Sequence, residues 1–230
     1  MSIKTLTIKD GIVTDPSILG IPLEARMISQ SRKERNDRSA DALDWPIGLT
    51  FHDTSVSDDA RICAETLAQK GVIDEIHRGT HFFVDRTRIV QVMLLDTVSG
   101  HAGDGGEGDH ATIGIVLCEP VADQTCEQHA MVLAAALMET YALETLFTHA
   151  MWQNVDCPRW LCAQQGDWKA FADGVRAVRA SGLVPEMHTA LRWAEAQGIW
   201  RCAPDDLQAP LLRSEALCLL YRAFTHAERS

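Results

Sequence analysis

Short apolar segments, separated by glycine and polar residues, dominate residues 46–118 of this 230-residue chain. In the first segment Ile47, Leu49 and Phe51 alternate with other residues, which predicts a buried strand that ends at His52. Three further segments also predict strands, namely THFFVDR from Thr80, IVQVMLL from Ile89 to Leu95, and ATIGIVLC from Ala111 to Cys118. This pattern requires a β-sheet at the centre of the fold.

Helical patterns accompany these strands and then replace them. Residues 55–70 and the segment that begins at Thr125 predict two helices among the strands. From Asp167 onward only helical patterns occur. Strands mixed with helices, followed by helices alone, predict an α/β or α+β domain and a small helical module that begins near residues 163–167.

Two segments predict loops. The first 45 residues are irregular and contain a mixed-charge run from Ser31 to Asp41, which is typical of a solvated loop. Between Ser99 and His110 the chain carries five glycines, which also indicates a loop.

Acidic residues outnumber basic ones, at 32 Asp and Glu against 21 Lys and Arg, which gives a formal charge of −11. That balance argues against nucleic acid and anionic lipid, because such partners favour Lys and Arg. The polar start predicts no signal peptide, and no apolar run approaches the roughly 20 residues that span a bilayer. The seven cysteines are scattered and odd in number, unlike a disulfide framework. We therefore expect a protein made in the cytoplasm, without membrane insertion.

One histidine and one cysteine lie close together in a predicted loop. His149 and Cys157 are eight positions apart in THAMWQNVDCP, and His52, at the end of the first predicted strand, could add a third ligand. Two imidazoles and one thiolate suit Zn²⁺, which in catalytic sites keeps one position for water. The spacing matches no zinc finger and the chain has nine histidines, so accidental pairing is the alternative.

Five motifs occur in the order found in one family of enzymes. They are FHDT at Phe51, THFFVD at Thr80, HAGDG at His101, ATIGIVLC at Ala111 and THAMWQNVDCP at Thr148. Through them residues 26–161 resemble the zinc-dependent N-acetylmuramoyl-L-alanine amidases of the type-2 superfamily, and are most similar to the phage and prophage endolysin branch. The resemblance implies a mixed central β-sheet flanked by helices, with His52, His149 and Cys157 as the zinc ligands.

The resemblance also implies a reaction, the hydrolysis of the amide between N-acetylmuramic acid and L-alanine in the peptidoglycan stem peptide. Zinc would polarise the carbonyl group and lower the pKa of a bound water. As groups that move protons near the metal we expect His101 first, and then His81 and Glu119. As substrate contacts we expect Asp104, Thr80, Trp152 and Arg159.

Three positions depart from the family pattern. Val116 stands where members with HAGDG usually carry Glu, Thr80 where other branches carry Tyr, and Val155 where many members carry Lys or Arg. A positioned general base contributes about 10²–10⁴-fold in rate. The departures therefore leave a second hypothesis, a catalytically weak or inactive amidase fold that binds peptidoglycan. A third hypothesis is a cytosolic amidase that recycles soluble muropeptides.

The end of the chain resembles a different kind of module. Residues 187–225 are similar to a single S-layer-homology repeat, in WAEAQGI from Trp193 and LRSEALCLLYRAF from Leu212, which implies attachment to the cell wall. We expect an N-terminal extension (1–25), a zinc amidase-like domain (26–165) and a helical wall-binding module (167–230). The partner would be peptidoglycan, reached after release from the cytoplasm by a separate factor. The sequence gives no oligomeric state.

Overall fold

The computed structural model describes residues 2–28, 43, 45–54, 59–70, 79–118, 124–163, 167–196 and 221. The strands in these residues are β1 (Ile8–Lys9), β2 (Ile12–Val13), β3 (Ser17–Ile18), β4 (Ile21–Ala25), β5 (Gly48–Asp53), β6 (Phe82–Val84), β7 (Ile89–Gln91), β8 (Thr112–Leu117) and β9 (Thr145–Thr148). The α-helices are α1 (Ala60–Lys70), α2 (Glu107–Ala111), α3 (Thr125–Tyr141), α4 (Asp167–Ser181) and α5 (Pro185–Ala196). None of these helices is both long enough and apolar enough to cross a membrane.

Seven of the strands form one mixed sheet, in the order β3–β4–β7–β6–β8–β5–β9. The neighbours β6, β8, β5 and β9 run parallel, and β4 is parallel to β7, whereas β7 is antiparallel to β6 and β3 is antiparallel to β4. Parallel neighbours require long crossover connections, and α3 fills the crossover from β8 to β9. The predicted mixed central sheet flanked by helices is therefore confirmed.

The two faces of the sheet have different surroundings. Leu49 and Phe51 of β5 are fully buried in the main hydrophobic core, which also contains α3 and α4. A second apolar cluster, around Ala60 and Ala64 of α1, covers part of the opposite face. Because side chains alternate along a strand, His52 points away from the main core. The candidate site therefore lies on the α1 side of the sheet.

The prediction that the first 45 residues are irregular was wrong for residues 8–25. β1 and β2 form a hairpin whose turn contains Asp10 (φ 51°) and Gly11 (φ 75°), the positive dihedrals that two-residue hairpin turns need. β4 continues the main sheet by pairing with β7, and its Leu23 is buried. Three of the four strands in this segment have only two residues, too few to show alternation in a sequence. The predicted N-terminal extension thus supplies strands to the sheet.

Helix α4 is part of the main core. Its Phe171, Val175 and Val178 are almost completely buried, and the ring of Phe171 lies 4.9 Å from that of Phe51, centroid to centroid. The core therefore continues past residue 167, where we expected a separate module to begin. Helix α5 packs against α4, and the predicted last helix lies outside the described residues except for Tyr221.

Helix α1 takes its N-terminal cap from another element. The carboxylate of Asp85, which follows β6, accepts a hydrogen bond from the Ala60 N–H at 2.8 Å and another from the Arg88 N–H at 2.8 Å. A side-chain acceptor at this end satisfies a backbone donor that lacks a partner within the helix. The cap ties α1 to the β6–β7 turn and so fixes the helix over its face of the sheet.

Candidate metal centre

His52 reaches the site from β5, an inner strand that lies next to the edge strand β9. It is the next-to-last residue of β5, and its side chain is buried. β5 is paired on both sides, with β8 and with β9. The imidazole is therefore carried by a rigid strand.

His149 and Cys157 reach the same place from the segment after β9. A short 3-10 turn, His149–Met151, begins where β9 ends. The chain then folds back, so that the Ala150 N–H donates to the Cys157 carbonyl oxygen at 2.8 Å. Because β9 is parallel to β5 and adjacent to it, this segment lies at the same edge of the sheet as His52.

The three predicted ligands converge. Two imidazole nitrogens and the thiol sulfur, one atom from each residue, all lie within 4.8 Å of one another. His52 Nδ1 is 3.9 Å from Cys157 Sγ, and the ring centroids of His52 and His149 are 4.6 Å apart. Nitrogen and sulfur donors of this kind are those that zinc prefers. The group formed by His52, His149 and Cys157, called the metal group below, can therefore hold a metal ion.

Burial puts His52 in the protonation state that binds metals. It lowers the pKa of His52 well below its ordinary value, and the neighbouring His101 and His149 lower it further. The ring is therefore neutral near pH 7, which leaves one nitrogen lone pair for a cation.

Cys157 is under opposing influences. Burial raises the pKa of its thiol to about 11, although a hydrogen bond from the Asp53 backbone N–H acts in the other direction. A divalent cation stabilises the thiolate strongly enough to displace the proton of a coordinating thiol. Binding of a metal ion to this group would therefore release a proton from Cys157.

His101 lies directly beside His52. Its Nδ1 is 3.0 Å from His52 Nε2, and its Nε2 is 3.2 Å from the carbonyl oxygen of Thr112. Burial lowers the pKa of His101 to about 4, so the ring is neutral near pH 7. The residue that we ranked first for moving protons has both of its nitrogens in contacts with the protein.

His81 is held within the sheet. Its Nδ1 accepts a hydrogen bond from the Gly114 N–H at 3.0 Å, and its Nε2 lies 3.0 Å from the Thr97 carbonyl oxygen. Burial lowers the pKa of this fully buried ring to about 3. Both nitrogens hold the fold together, which argues against the catalytic role that we predicted for His81.

The glycine-rich segment after His101 is organised by two carboxylates and contains the short helix α2, where the sequence predicted only a loop. Each carboxylate accepts three backbone hydrogen bonds, from Gly106, Gly108 and Asp109 to Asp104, and from Ala102, Gly103 and Gly105 to Asp109. Because both oxygens of Asp104 accept bonds from its own turn, this side chain organises the loop. That arrangement argues against the predicted role of Asp104 as a substrate contact.

Two other predicted substrate contacts have partners inside the protein. Thr80 is buried, with Oγ1 at 3.5 Å from the carbonyl oxygen of Phe82. Trp152 donates from Nε1 to Thr50 Oγ1 at 2.9 Å, and its ring packs against Phe147. These contacts hold both side chains within the protein, and their roles in binding substrate stay predictions.

Of the last two predicted site residues, the structure describes Arg159 but not Glu119. Arg159 has a side chain that is 64% exposed and forms an ion pair with Asp156 at 3.1 Å. Glu119 lies outside the described residues. The substrate contact of Arg159 and the catalytic role of Glu119 stay predictions.

The valines that replace the family's polar helpers lie close to the metal group. Val116 is the register partner of His52 on the parallel strand β8. Val155 precedes Cys157 by two residues and is 38% exposed. Neither side chain can accept or donate a proton.

Sequence reasoning missed three residues that support the site. Thr112 accepts from His101 through its carbonyl oxygen, Asp109 holds the loop, and the Ala102 carbonyl oxygen lies 2.9 Å from His149 Nε2. An Asp within a glycine-rich turn is a known acceptor of backbone N–H groups, so Asp109 could have been found. Thr112 contacts His101, and Ala102 contacts His149, through backbone carbonyl oxygens. Every residue type has this oxygen, so such contacts leave no signal in a sequence.

The sequence profile of the N-acetylmuramoyl-L-alanine amidase family (Amidase_2) matches residues 44–160, about half of the chain. Two amidases of Bacillus subtilis (strain 168) are similar in sequence. N-acetylmuramoyl-L-alanine amidase XlyA is 30% identical over 61% of this chain and 47% of its own length. N-acetylmuramoyl-L-alanine amidase CwlH is 31% identical over 56% of this chain and 53% of its own length. This chain therefore spans about half the length of these relatives.

The fold is also similar to a solved structure. The catalytic domain of XlyA superimposes with a TM-score of 0.55 at 26% sequence identity, over 67% of this chain and 99% of that domain. The similarity thus extends over the whole of that catalytic domain.

Proposed function

The chain belongs to the N-acetylmuramoyl-L-alanine amidase family, and we propose that it hydrolyses the amide between N-acetylmuramic acid and L-alanine in peptidoglycan. The convergence of His52, His149 and Cys157 within 4.8 Å of one another is the observation that carries the proposal. These residues come from two distant parts of the chain, and the fold brings them together where the adjacent parallel strands β5 and β9 end.

We further propose that the metal group binds zinc. The donor set fits, because two neutral imidazoles and one thiolate leave a tetrahedral ion with one position for another ligand. When bound, zinc supplies Lewis-acid activation of a water molecule and of the substrate carbonyl. The protein's own part is to keep His52 neutral by burial and to hold all three donors on one edge of the sheet.

Hydrolysis of the amide also needs a group that moves protons. His81 and His101 use both ring nitrogens in contacts with the protein, and Val116 is apolar. Glu119, which follows Leu117 by two residues in the sequence and lies outside the described residues, is the remaining predicted candidate. A site that lacks a positioned base loses about 10²–10⁴-fold in rate. We therefore expect a slow amidase unless Glu119 supplies that base.

The proposed amidase activity also suggests where the protein acts. We propose an endolysin of phage or prophage type that acts on the cell wall after release from the cytoplasm by a separate factor. We also propose that the C-terminal helical segment helps to retain the enzyme on wall polymer. With a formal charge of −11, the protein would bind through local sites and not through general attraction to anionic polymers.

A second candidate function is the recognition of muropeptides without cleavage. The observation that favours it is the pair of apolar side chains at the helper positions, Val116 and Val155, of which the first is the register partner of His52. A protein of this kind would keep the metal group as part of its binding site. Zinc content therefore cannot distinguish the two functions.

Release of L-alanine amino termini does distinguish them. The full chain should release new L-alanine amino termini from purified peptidoglycan, and His149→Ala, which removes one member of the metal group, should not. If the two proteins release equal amounts, the amidase proposal fails. If neither releases any but the unmodified chain still sediments with the peptidoglycan, the recognition function replaces it.

A further inference from the structure

Both imidazoles of the metal group make their second contact with one loop. His52 Nε2 lies 3.0 Å from His101 Nδ1, and His149 Nε2 lies 2.9 Å from the carbonyl oxygen of Ala102, the next residue. A carbonyl oxygen can only accept a hydrogen bond. His149 therefore carries its proton on Nε2, which leaves Nδ1 with the free lone pair.

The same reasoning fixes the proton of His52 through His101. His101 Nε2 lies 3.2 Å from both the carbonyl oxygen and Oγ1 of Thr112. Because that hydroxyl donates its proton to the Gly108 carbonyl oxygen at 2.7 Å, Nε2 is the donor of the His101 ring. Its Nδ1 is then an acceptor, and the His52 Nε2–H donates to it. His52 Nδ1 is left with a lone pair, and this is the nitrogen that faces Cys157 Sγ at 3.9 Å.

The fold reserves space for the His101 ring. A Cβ atom placed on Gly114 of β8 would lie 2.7 Å from His101 Cγ, closer than real contacts allow. The ring is 7% exposed. Because the ring is enclosed in this way, its Nδ1 has a fixed direction toward His52.

Asp109 holds the other acceptor in place. Its carboxylate accepts from the backbone N–H groups of Ala102 and Gly103, each at 2.8 Å, and the side chain is 6% exposed. Gly103 has a φ of 63°, a dihedral that residues with a side chain rarely adopt. The peptide that presents the Ala102 carbonyl oxygen to His149 is therefore fixed on both sides.

We propose that His101 is a positioning residue for metal binding, and that residues 101–109 set the tautomers of both imidazole ligands at once. His101 does so for His52 through its side chain, and Ala102 does so for His149 through its carbonyl oxygen, with Asp109 holding the loop. The inference rests on the proposed function, because it takes His52, His149 and Cys157 as the ligands. It gives His101 a role other than the transfer of protons to or from the substrate.

Two substitutions of His101, by side chains that have the same shape as each other, separate the effect of the hydrogen bond from that of packing. In His101→Asn the Oδ1 atom takes the place of Nδ1 and can still accept from His52, whereas His101→Leu has the same shape without an acceptor. Loss of such a partner typically costs about 10–100-fold in metal affinity. We expect His101→Leu to bind zinc about 10–100-fold more weakly than the unmodified chain, and His101→Asn to lose less than about tenfold.

The experiment uses the full chain and zinc alone, in competition with a chromophoric chelator, together with the ring ¹⁵N signals of His52 and His149 in the metal-free chain. In the unmodified chain both rings should be protonated on Nε2. In His101→Leu the His52 ring should lose this preference while His149, bonded to Ala102, keeps it. His110→Leu, which removes an exposed histidine near the same loop, is the control and should change neither readout.

Equal zinc affinity in the Leu and Asn variants would overturn the proposal, as would an Nδ1–H tautomer at His52 in the unmodified chain. The proposed amidase activity has a separate outcome. A chain that follows the expected order of zinc affinities but releases no L-alanine amino termini would support the positioning role and refute the hydrolase function.

Discussion

Val116 and His52 are register partners on the parallel strands β8 and β5. Partners on adjacent strands project to the same face of a sheet, with backbones about 4.8 Å apart. An apolar side chain therefore stands beside His52, at the position where the family pattern used in the sequence analysis predicts Glu. At this position the chain therefore carries no group that can move a proton, although the three donors of the metal group are present.

Replacing this valine should restore the missing group. We expect Val116→Glu to raise the release of L-alanine amino termini at least about tenfold, since a positioned base contributes about 10²–10⁴-fold. Val116→Gln, which has the same shape without a basic oxygen, should leave the rate near that of the unmodified chain. Equal rates in the Glu and Gln variants would mean that the base lies elsewhere, with Glu119 as the next residue to change.

The two cysteines on either side of Pro158 should behave differently. Cys157 belongs to the metal group, whereas Cys162 is exposed. We expect Cys157→Ser to lose tightly bound zinc and Cys162→Ser to keep it, measured as zinc per chain after dialysis. Zinc retained equally by both variants would remove Cys157 from the proposed site.

The Asp85 cap should make stability depend on pH. Burial acts to raise the pKa of Asp85, but hydrogen bonds from Ala60, Thr87 and Arg88 outweigh it and lower the pKa. A lowered pKa means that the ionised carboxylate stabilises the folded state above the unfolded pKa of about 3.9, and that this contribution is lost as the pH falls through the folded pKa.

We expect Asp85→Ala to lower the free energy of unfolding by about 1–2 kcal/mol near pH 7, as for other helix caps. The difference from the unmodified chain should shrink below about pH 4, in urea titrations repeated across the pH range. Asp85→Asn keeps an uncharged acceptor and is the control for the charge. A deficit in Asp85→Ala that stays constant down to pH 2 would contradict the assignment.

Phe171 tests whether α4 belongs to the main domain. The side chain is 2% exposed and packs against Phe51, the neighbour of His52 in β5. We expect Phe171→Ala to lower the free energy of unfolding by about 3–5 kcal/mol. Lys169→Ala, on the same helix, removes an exposed ion pair with Asp173 and should cost less than about 1 kcal/mol. If the two variants unfold at the same urea concentration, α4 is not part of the core.

Removal of the C-terminal segment should separate wall binding from catalysis. A chain that ends at Val184 keeps α4 and every residue of the main hydrophobic core, but loses α5 with its buried Ala190. We expect this chain to release L-alanine amino termini from soluble muropeptides at the rate of the full chain but to sediment less with cell walls. Undiminished sedimentation would mean that the segment after residue 184 does not bind the wall.

The sequence determined the main elements and the metal group. Alternation placed the strands that begin at residues 48, 82, 89 and 112, and long helical patterns placed α3 and α4, because burial of one face leaves a period in the sequence. Resemblance to a family selected His52, His149 and Cys157, which the fold brings together. Metal ligands can be recognised in a sequence because only a few residue types, such as His and Cys, can serve as ligands.

Only the tertiary structure decided how the other polar residues are used. His101, His81 and Asp104 looked like free functional groups in the sequence, and the fold pairs them with His52, with the Gly114 N–H and with the N–H groups of their own turn. The tertiary structure likewise placed α4 in the main core. It also brought Asp85 to the N-terminus of α1, a helix that comes before Asp85 in the chain. These outcomes depend on contacts between distant residues and on backbone donors and acceptors, which every residue type supplies alike. The sequence therefore specified the chemistry available at the site, and the packing of the sheet edge assigned each group its partner.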